Sequence, residues 1–175
     1  VTDIVATPHF RGELEFLELR QEIARRHQEL SQALERWGVP LQLHMGAEIL
    51  CLNETPELAR RHELPTLAGT KYVLTEFFFD EDFLYMDNIL SGIAENGYVP
   101  VVAHPERYSY VQQDPRLVDR WIRMGCLIQV NRGSLLGRFG SRAQRLAFAL
   151  VERGFATVVA SDAHSSRVRT PWLAD

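Results

Sequence analysis

The sequence predicts an α/β fold in which parallel strands alternate with helices and close into a barrel. Apolar, β-branched segments alternate with longer helical patterns along the chain. Several of these segments are apolar nearly throughout, which is typical of parallel strands buried on both faces. Reactive side chains lie at the ends of five of the six predicted strands. A closed barrel brings every strand end to one rim, whereas an open sheet does so only near its switch point.

The elements follow in order from these patterns. Six strands are predicted, over residues 3–6, 41–48, 72–77, 99–103, 126–131 and 156–161. Between the first two strands, apolar residues recur on one helical face until Gly38 and Pro40 end the helix. The residues on that face are Phe16, Leu19, Ile23, Leu30, Leu34 and Trp37, with His27 among them as a packing residue.

The later helices carry conventional end signals. The predicted N-cap and first-turn pairs are Thr55 with Pro56 and Asp114 with Pro115. The predicted C-terminal glycines are Gly97, Gly125 and Gly154. Strands and helices therefore alternate, and this order requires parallel strands joined by right-handed crossovers.

The composition limits the class of protein. The chain has 175 residues, of which 46% are apolar and 24% are charged, so it is typical of one globular domain and not of a disordered chain. No apolar run approaches the ~18 residues of a membrane helix, and the first residues do not resemble a secretion signal. The cysteines Cys51 and Cys126 are too far apart in sequence to suggest a disulfide framework. We therefore expect a cytoplasmic protein that does not insert into membranes.

Charge is distributed unevenly along the chain. The formal net charge is −4, which does not favour nucleic acid as a partner. Residues 1–106 carry 8 basic and 18 acidic groups, whereas residues 107–175 carry 11 basic and 5 acidic groups. The second part therefore favours anions, and the opposite charges of the two parts allow head-to-tail contacts in an oligomer.

Three imidazoles and three carboxylates lie at, or just past, the ends of predicted strands. They are His9, Glu48, Glu76, His104, Asp162 and His164. Imidazole and carboxylate without thiolate are typical ligands of Mn, Fe or Zn, and six of them exceed what one tetrahedral zinc requires. The set predicts a site for two or three divalent ions, and such sites commonly hydrolyse phosphate esters or amides.

Arginines accompany the predicted metal site. Arg11, Arg107 and Arg132 all fall on the same predicted rim. A guanidinium binds two phosphate oxygens at once, so these residues favour a phosphate ester as the substrate.

The other histidines are interpreted as structural. His27 and His62 lie in helical or turn contexts, where a lone histidine is seldom a ligand. His44 precedes Glu48 by about 13 Å along one predicted strand, at ~3.3 Å per residue, and so lies away from the rim.

Two candidate nucleophiles are also interpreted as structural. The segment around Cys51 lacks the glycine-rich cradle of amides that a phosphatase thiolate needs. Ser134 lies in a glycine-rich turn that is neither a P-loop nor a nucleophile elbow, so it shapes a substrate loop at most.

The candidate ligands occur in a recognisable succession of motifs. The motifs are ATPHF around His9, GAEI around Glu48, YVLTEF around Glu76, VVAHPERY around His104, IQVNRGSLLGRFG after Cys126 and ASDAH around His164. In this order they resemble the PHP (polymerase and histidinol phosphatase) superfamily. More narrowly, they resemble its bacterial manganese-dependent tyrosine-protein phosphatases of capsule and exopolysaccharide biosynthesis. The resemblance extends over nearly the whole chain.

The resemblance implies a single PHP-type phosphoesterase domain over residues 1–175, folded as a distorted (β/α) barrel. It implies a trinuclear site, with manganese as the expected metal, in which the six residues would be ligands and Glu48 the bridge. It also implies hydrolysis of phosphotyrosine by metal-activated hydroxide, with Arg107 holding the substrate phosphate and Arg11 assisting. The expected partner is a phosphotyrosine protein, the tail of a bacterial tyrosine autokinase.

One motif of this family has no counterpart in the sequence. The family's first strand carries a DxHxH motif, and the family's segment after SDAH is longer, so the resemblance implies a domain that lacks its first strand and its C-terminal end. Two alternatives therefore stay open. One is a PHP phosphatase for a small metabolite such as histidinol phosphate, and the other is a catalytically incompetent PHP module with a binding or structural role.

Overall fold

The computed structural model describes residues 1–167 and 169–171, with side chains outside residues 13–20. The strands in this part of the chain are β1 Asp3–Ala6, β2 His9–Phe10, β3 Gln42–Met45, β4 Glu48–Leu50, β5 Tyr72–Glu76, β6 Val99–Ala103, β7 Leu127–Asn131 and β8 Ala156–Ala160. The α-helices are α1 Glu13–Arg36, α2 Thr55–Arg60, α3 Phe83–Glu95, α4 Ser109–Gln113, α5 Leu117–Met124, α6 Arg132–Leu135 and α7 Ser141–Glu152. Two short 3-10 helices occupy Leu67–Gly69 and Pro105–Arg107.

The strand pairs of the described chain are all parallel. β1 pairs with β3, and a six-stranded sheet has the order β2-β4-β5-β6-β7-β8. Helices connect most neighbouring strands, as parallel pairing requires. The predicted α/β class with parallel strands is therefore confirmed.

Two of the predicted strands are each continued by a second short strand. Pro8 lies between β1 and β2, and the predicted strand over 41–48 divides into β3 and β4. Backbone hydrogen bonds continue across the breaks, from Gly46 N to Ala6 O at 2.9 Å and from Glu48 N to Pro8 O at 3.0 Å. A Cβ at Gly46 would lie 2.9 Å from a methyl group of Leu67, so a larger residue there would displace that side chain. Eight short strands therefore occupy the place of the six predicted ones.

The closed barrel predicted from the sequence is not found in the described residues. β2 and β8 are the two edges of the six-stranded sheet, and they do not pair with each other. Closure requires every strand to pair on both sides. Val158 and Val159 of β8 are each 42% exposed, so the described elements cover the apolar side chains of this edge strand only in part.

The core joins the six-stranded sheet to α2, α3, α5 and α7. The central side chains Ile49, Val73, Val102 and Ile128 are 0% exposed. Full burial of one such side chain stabilises a fold by about 1.5–3 kcal/mol. The packed sheet therefore gives a rigid base to the loops at its carboxyl end.

The predicted ends of the helices are partly confirmed. Gly125 ends α5 in the left-handed conformation at φ 95°, as predicted. Thr55 is the first residue of α2 rather than its N-cap, and its hydroxyl accepts a hydrogen bond from Leu52 N at 2.9 Å. Asp114 precedes α5 by a short turn, in which its carboxylate accepts a hydrogen bond from Arg116 N at 3.1 Å. Both side chains thus stabilise the entry turns instead of capping the helices.

Helix α1 is confirmed, but its predicted apolar face is only partly buried. Ile23 is half-buried, whereas Leu30 is 47% and Trp37 is 74% exposed. The predicted face also includes Phe16 and Leu19, whose side chains lie outside the described ones. With 24 residues α1 is about 36 Å long, while the four residues of β3 span about 13 Å. One end of the helix therefore extends beyond the strands. Among the described helices, none combines the length and apolar character needed to cross a membrane.

Candidate metal centre

Two candidate ligands open short strands. His9 begins β2 and Glu48 begins β4, and the two residues are paired in the register. The prediction that both lie at strand ends is wrong in this detail, because the breaks after β1 and β3 place each residue on a second short strand. Their pairing puts His9 Nε2 3.3 Å from Glu48 Oε2.

Glu76 and His104 complete a cluster of four side chains. Glu76 is the last residue of β5, and His104 directly follows β6, as predicted. His104 Nε2 lies 3.3 Å from Glu48 Oε1 and 3.3 Å from Glu76 Oε1. Ligand atoms of His9, Glu48 and Glu76 all lie within 4.8 Å of one another. The two oxygens of Glu48 therefore face two different imidazoles.

Asp162 and His164 form the opposite wall of the same cleft. The cleft has a volume of about 190 Å³ and is lined by His9 and Glu48 on one side and by Asp162 and His164 on the other. The ring centroids of His9 and His164 are 5.6 Å apart. His164 Nδ1 lies 3.6 Å from Asp162 Oδ1. The structure thus brings four candidates into mutual contact and places the other two across the cleft.

The electrostatics of the cluster favour a cation. Burial alone would lower the pKa of His104, but the Glu48 and Glu76 carboxylates outweigh burial and raise this pKa to about 9. Burial would raise the pKa of Glu76, but the contacts with His104 lower it on balance. Two carboxylates whose effect on one imidazole outweighs burial mark a position where positive charge is stabilised.

The backbone at two candidate ligands is strained. His104 adopts φ 35° and ψ 51°, and Asp162 adopts φ 48°, both in the left-handed region. A side chain other than glycine costs about 1–3 kcal/mol there and persists where the surrounding structure fixes it, often at a functional site. His104 follows β6 and Asp162 follows β8, so the strained residues lie just past the carboxyl ends of two strands of the same sheet.

The donor set fits divalent metal ions. The cluster offers carboxylate oxygens and imidazole nitrogens, which are the ligands that Mn, Fe and Zn accept. His104 Nδ1 is buried and has no hydrogen-bond partner within the described residues. The ring nitrogen that faces the cluster is Nε2, 3.3 Å from a carboxylate oxygen of Glu48 and of Glu76, so an ion bound among these residues would take Nε2 as its ligand atom.

Arg107 lies beside the cluster between two aromatic rings. Its guanidinium carbon is 4.3 Å from the ring centroid of Phe79 and 4.3 Å from that of Phe139. Its Nη1 lies 3.8 Å from Asp162 Oδ2. Burial and the nearby Arg169 lower the pKa of Arg107 from its ordinary value. The two rings fix the plane of the guanidinium and so hold its N–H groups in one orientation.

The sequence did not single out Arg169, Phe79 or Phe139. Arg169 donates a hydrogen bond to Asp162 Oδ2, and its guanidinium carbon is 5.8 Å from the Phe139 ring centroid. For Phe79 the one signal in the sequence is its position three residues after Glu76. Arg169 and Phe139 lie in loops with no periodic pattern, so only the fold reveals their place.

The other predicted arginines differ in their surroundings. Arg11 is exposed directly after β2, and the described residues show no hydrogen bond or ion pair between it and the candidate ligands. Arg132 is buried at the start of α6. The geometry therefore points to Arg107, with Arg169, as the cations nearest to the cleft.

The three histidines interpreted as structural contact residues outside the candidate metal site. His27 Nε2 lies 3.0 Å from Leu43 O, and His44 Nε2 lies 2.8 Å from Asp3 Oδ1. His62 faces the Tyr98 ring, with 6.1 Å between the ring centroids. None of these contacts involves a candidate ligand.

The candidate nucleophiles are buried. Burial raises the pKa of the Cys126 thiol to about 12 and raises that of Cys51 further. Neither is a thiolate near neutral pH. The buried Ser134 hydroxyl donates to Glu106 Oε1 at 2.6 Å, which is a structural contact.

Comparison with known proteins gives matches over the whole chain. The family described as "Capsular polysaccharide synthesis, CpsB/CapC" matches residues 1–175. The chain is 31% identical to tyrosine-protein phosphatase YwqE of Bacillus subtilis (strain 168), over 97% of this chain and 66% of that protein. It is 31% identical to the putative tyrosine-protein phosphatase CapC of Staphylococcus aureus, over 94% of this chain and 64% of that protein. The chain thus spans slightly less than two thirds of the length of these two relatives.

A solved structure has the same fold. It comes from work on YwqE from Bacillus subtilis and CpsB from Streptococcus pneumoniae, described as "unique metal-dependent tyrosine phosphatases". The TM-score is 0.82 at 31% identity, and the match covers 97% of this chain and 68% of the other. Tyrosine-protein phosphatase CpsB of Streptococcus pneumoniae is 30% identical over 99% of this chain and 73% of that protein.

Proposed function

The chain belongs to the capsular polysaccharide synthesis CpsB/CapC family, and on that premise we propose that it is a metal-dependent phosphatase that hydrolyses phosphotyrosine in proteins. The observation that carries the proposal is the carboxylate and imidazole cluster beside the guanidinium of Arg107. Such a cluster suits divalent ions, and a fixed guanidinium beside it suits a phosphate dianion. The similarity to tyrosine-protein phosphatases supports the class of substrate.

We place the metal ions, manganese by preference, among the six candidate ligands. These residues are His9, Glu48, Glu76, His104, Asp162 and His164. Glu48 is the proposed bridge, because its two oxygens face His9 and His104 separately. Divalent ions held by these residues would supply polarisation of the phosphate ester and activation of water near neutral pH.

The chain's own residues bind and orient the phosphate. Arg107 donates hydrogen bonds to two phosphate oxygens, in a planar geometry that lysine does not reproduce. Phe79 and Phe139, each 4.3 Å from its guanidinium carbon, keep this group from rotating. Arg169 adds a second positive charge next to Asp162, so this wall of the cleft favours a dianion.

The reaction we propose has no covalent enzyme intermediate. The thiols of Cys51 and Cys126 are buried, and burial raises the pKa of each. In the proposed step water attacks phosphorus directly and gives up a proton, and the tyrosine oxygen leaves with the pair of electrons from the broken P–O bond. The leaving oxygen takes up a proton, so the products are tyrosine and inorganic phosphate.

Three finer proposals follow from the resemblance to the PHP superfamily. Residues 1–175 form one phosphoesterase domain of the distorted barrel type. The 5.6 Å between the rings of His9 and His164 supports it, because His9 begins the edge strand β2 and His164 follows the other edge strand, β8. The substrate is a phosphotyrosine protein, the tail of a bacterial tyrosine kinase. The reaction takes place in the cytoplasm.

Phosphate release from matched peptides tests the proposed function. The protein is stripped with a chelator, and release from a phosphotyrosyl peptide, its phosphoseryl analogue and histidinol phosphate is measured before and after Mn²⁺ is returned. We expect release only after Mn²⁺ is returned, and faster from the phosphotyrosyl peptide than from either competitor. Preference for histidinol phosphate would contradict the proposal that phosphotyrosine is the substrate. Bound metal without release from any of the three would contradict the catalytic role and favour a binding module.

A further inference from the structure

Two buried amide side chains connect the loops that carry His104 and Asp162. We propose that Gln129 and Asn131 are positioning residues, which form a hydrogen-bond relay that orients the Asp162 carboxylate for metal binding. Both project from β7, the strand between β6 and β8 in the sheet. The inference deepens the proposed function and rests on the metal site assigned to it.

The relay consists of three consecutive hydrogen bonds. The His104 backbone N–H donates to Gln129 Oε1 at 3.2 Å. Gln129 Nε2 donates to Asn131 Oδ1 at 2.8 Å, and Asn131 Nδ2 donates to Asp162 Oδ2 at 2.6 Å. Gln129 is 4% and Asn131 is 0% exposed, so water does not compete for these bonds.

The two ends of the relay determine its direction. The backbone N–H of His104 is only a donor, so the oxygen of the Gln129 amide must face it. Gln129 then presents its NH₂ group to Asn131, and Asn131 in turn presents its NH₂ group to Asp162. An ionised carboxylate is only an acceptor. Each hydrogen bond therefore has one possible direction. Reversal of either amide would place two donors or two acceptors against each other.

The relay acts on one oxygen of Asp162. Oδ2 accepts the hydrogen bonds from Asn131 and Arg169 and lies 3.8 Å from Arg107 Nη1. Oδ1 is 3.6 Å from His164 Nδ1, on the side of the other candidate ligand. The donors hold Oδ2 in place, and the carboxylate therefore directs Oδ1 toward the metal site.

A buried carboxylate holds the backbone at the end of the relay. Glu106 is 0% exposed, and its Oε1 accepts hydrogen bonds from the Asn131 N–H at 3.0 Å and the Ser134 hydroxyl at 2.6 Å. Glu106 lies two residues after His104, in the same 3-10 turn as Arg107. The turn after β6 and the end of β7 are therefore fixed to each other at two points.

The test measures metal affinity, a quantity that does not depend on phosphatase activity. Mn²⁺ binding to the full chain is followed by calorimetry for the unaltered protein, for Asn131→Leu and for Gln129→Met, which replace the amides by apolar groups of similar size. Loss of groups that orient metal ligands typically weakens binding 10–100-fold. We expect this loss in Asn131→Leu and a smaller loss in Gln129→Met. We expect the double variant to bind about as weakly as Asn131→Leu alone, because the two residues act in series.

A metal-free readout and a control separate positioning from general stability. Hydrogen exchange of the His104 backbone amide should be faster in both variants. Gln129→Met removes the oxygen that accepts from this amide, and Asn131→Leu removes the partner that fixes the orientation of Gln129. Asn96→Ala removes an amide bonded to Gly92 O at 2.7 Å at the end of α3, and should change thermal stability without changing metal affinity. Gln129→Met keeps the bond from Asn131 to Asp162, and it carries the test alone if Asn131→Leu does not fold.

The outcomes distinguish the relay from the proposed function. Unchanged Mn²⁺ affinity in a folded Gln129→Met or Asn131→Leu protein would overturn the relay, even if phosphatase activity is present in the unaltered chain. Weaker Mn²⁺ binding in the variants of a chain that hydrolyses no phosphotyrosine would support the relay and overturn the function. If Asn96→Ala loses as much Mn²⁺ affinity as Asn131→Leu does, lower protein stability explains the loss in both variants. That result would overturn the relay.

Discussion

Replacement of Arg107 separates phosphate binding from packing. Arg107→Ala removes the guanidinium from between Phe79 and Phe139, where it lies 4.3 Å from each ring centroid. Each contact contributes about 0.5–1 kcal/mol at a partly exposed site, so the free energy of unfolding should fall by about 1–2 kcal/mol. For a chain of 175 residues, about 2–4 °C per kcal/mol gives a decrease in Tm of roughly 2–8 °C.

The effect of Arg107 on catalysis should be larger. Loss of one group that stabilises charge in the transition state costs about 10²–10³-fold in rate. We expect kcat/KM for a phosphotyrosyl peptide to fall roughly 10²-fold or more in both Arg107→Ala and Arg107→Lys. Lysine keeps the charge but lacks the planar pair of donors, so it should restore much of the Tm and little of the activity.

The assay combines peptide kinetics at saturating Mn²⁺, metal analysis and thermal unfolding on the same preparations. Arg116→Ala is the matched control, because this guanidinium pairs with Asp114 on the surface at 2.8 Å. Metal content should be unchanged in all three variants. Normal kcat/KM in Arg107→Ala with a lower Tm would refute the reasoning and assign Arg107 a purely structural role.

Three further predictions follow from individual contacts. Phe139→Leu should lower kcat/KM roughly 2- to 5-fold, the equivalent of about 0.5–1 kcal/mol, whereas Phe148→Leu, at an aromatic residue that is 47% exposed, should not change the peptide kinetics. Cys51 and Cys126 should not react with a thiol reagent at pH 8 until the protein is unfolded, because burial raises the pKa of both; rapid reaction of the native protein would contradict their burial. Asp82→Ala removes the carboxylate that accepts from Leu84 N at 2.9 Å and Tyr85 N at 3.2 Å at the start of α3, and should lower stability in thermal unfolding by about 1 kcal/mol without altering metal affinity.

The sequence predicted the parallel α/β class because strand and helix periodicities are local properties. It placed the six strands well, but it missed the short strand β2 that follows the first of them and the break within the second. Near the break, Gly46 packs closely against Leu67 of another segment, a contact that no local pattern contains. For the same reason the sequence placed His9 and Glu48 at strand ends, whereas each begins a second short strand.

The candidate ligands were predictable because polar residues at the ends of buried parallel strands are unusual. Their supporting contacts were not, since they join residues distant in sequence. Asn131 and Asp162 are 31 residues apart in the chain. Asn131 ends a predicted strand, and that polar position was the one signal of its role. Closure of the barrel depends on whether the two edges of the sheet pair, and periodicity contains no information about that.

The central claim is that divalent metal bound at the cluster of His9, Glu48, Glu76 and His104 is required for hydrolysis of phosphotyrosine. The most direct test is one titration of metal-stripped protein with Mn²⁺, in which metal occupancy and phosphate release are measured on the same samples, for the unaltered chain and for Glu48→Gln. Glutamine keeps the size of the side chain and removes the charge that lies 3.3 Å from each imidazole. From this claim we expect that release rises with occupancy in the unaltered chain, and that Glu48→Gln stays folded but loses activity and binds metal weakly. Full hydrolysis by metal-stripped protein, or normal occupancy and activity in Glu48→Gln, would contradict it.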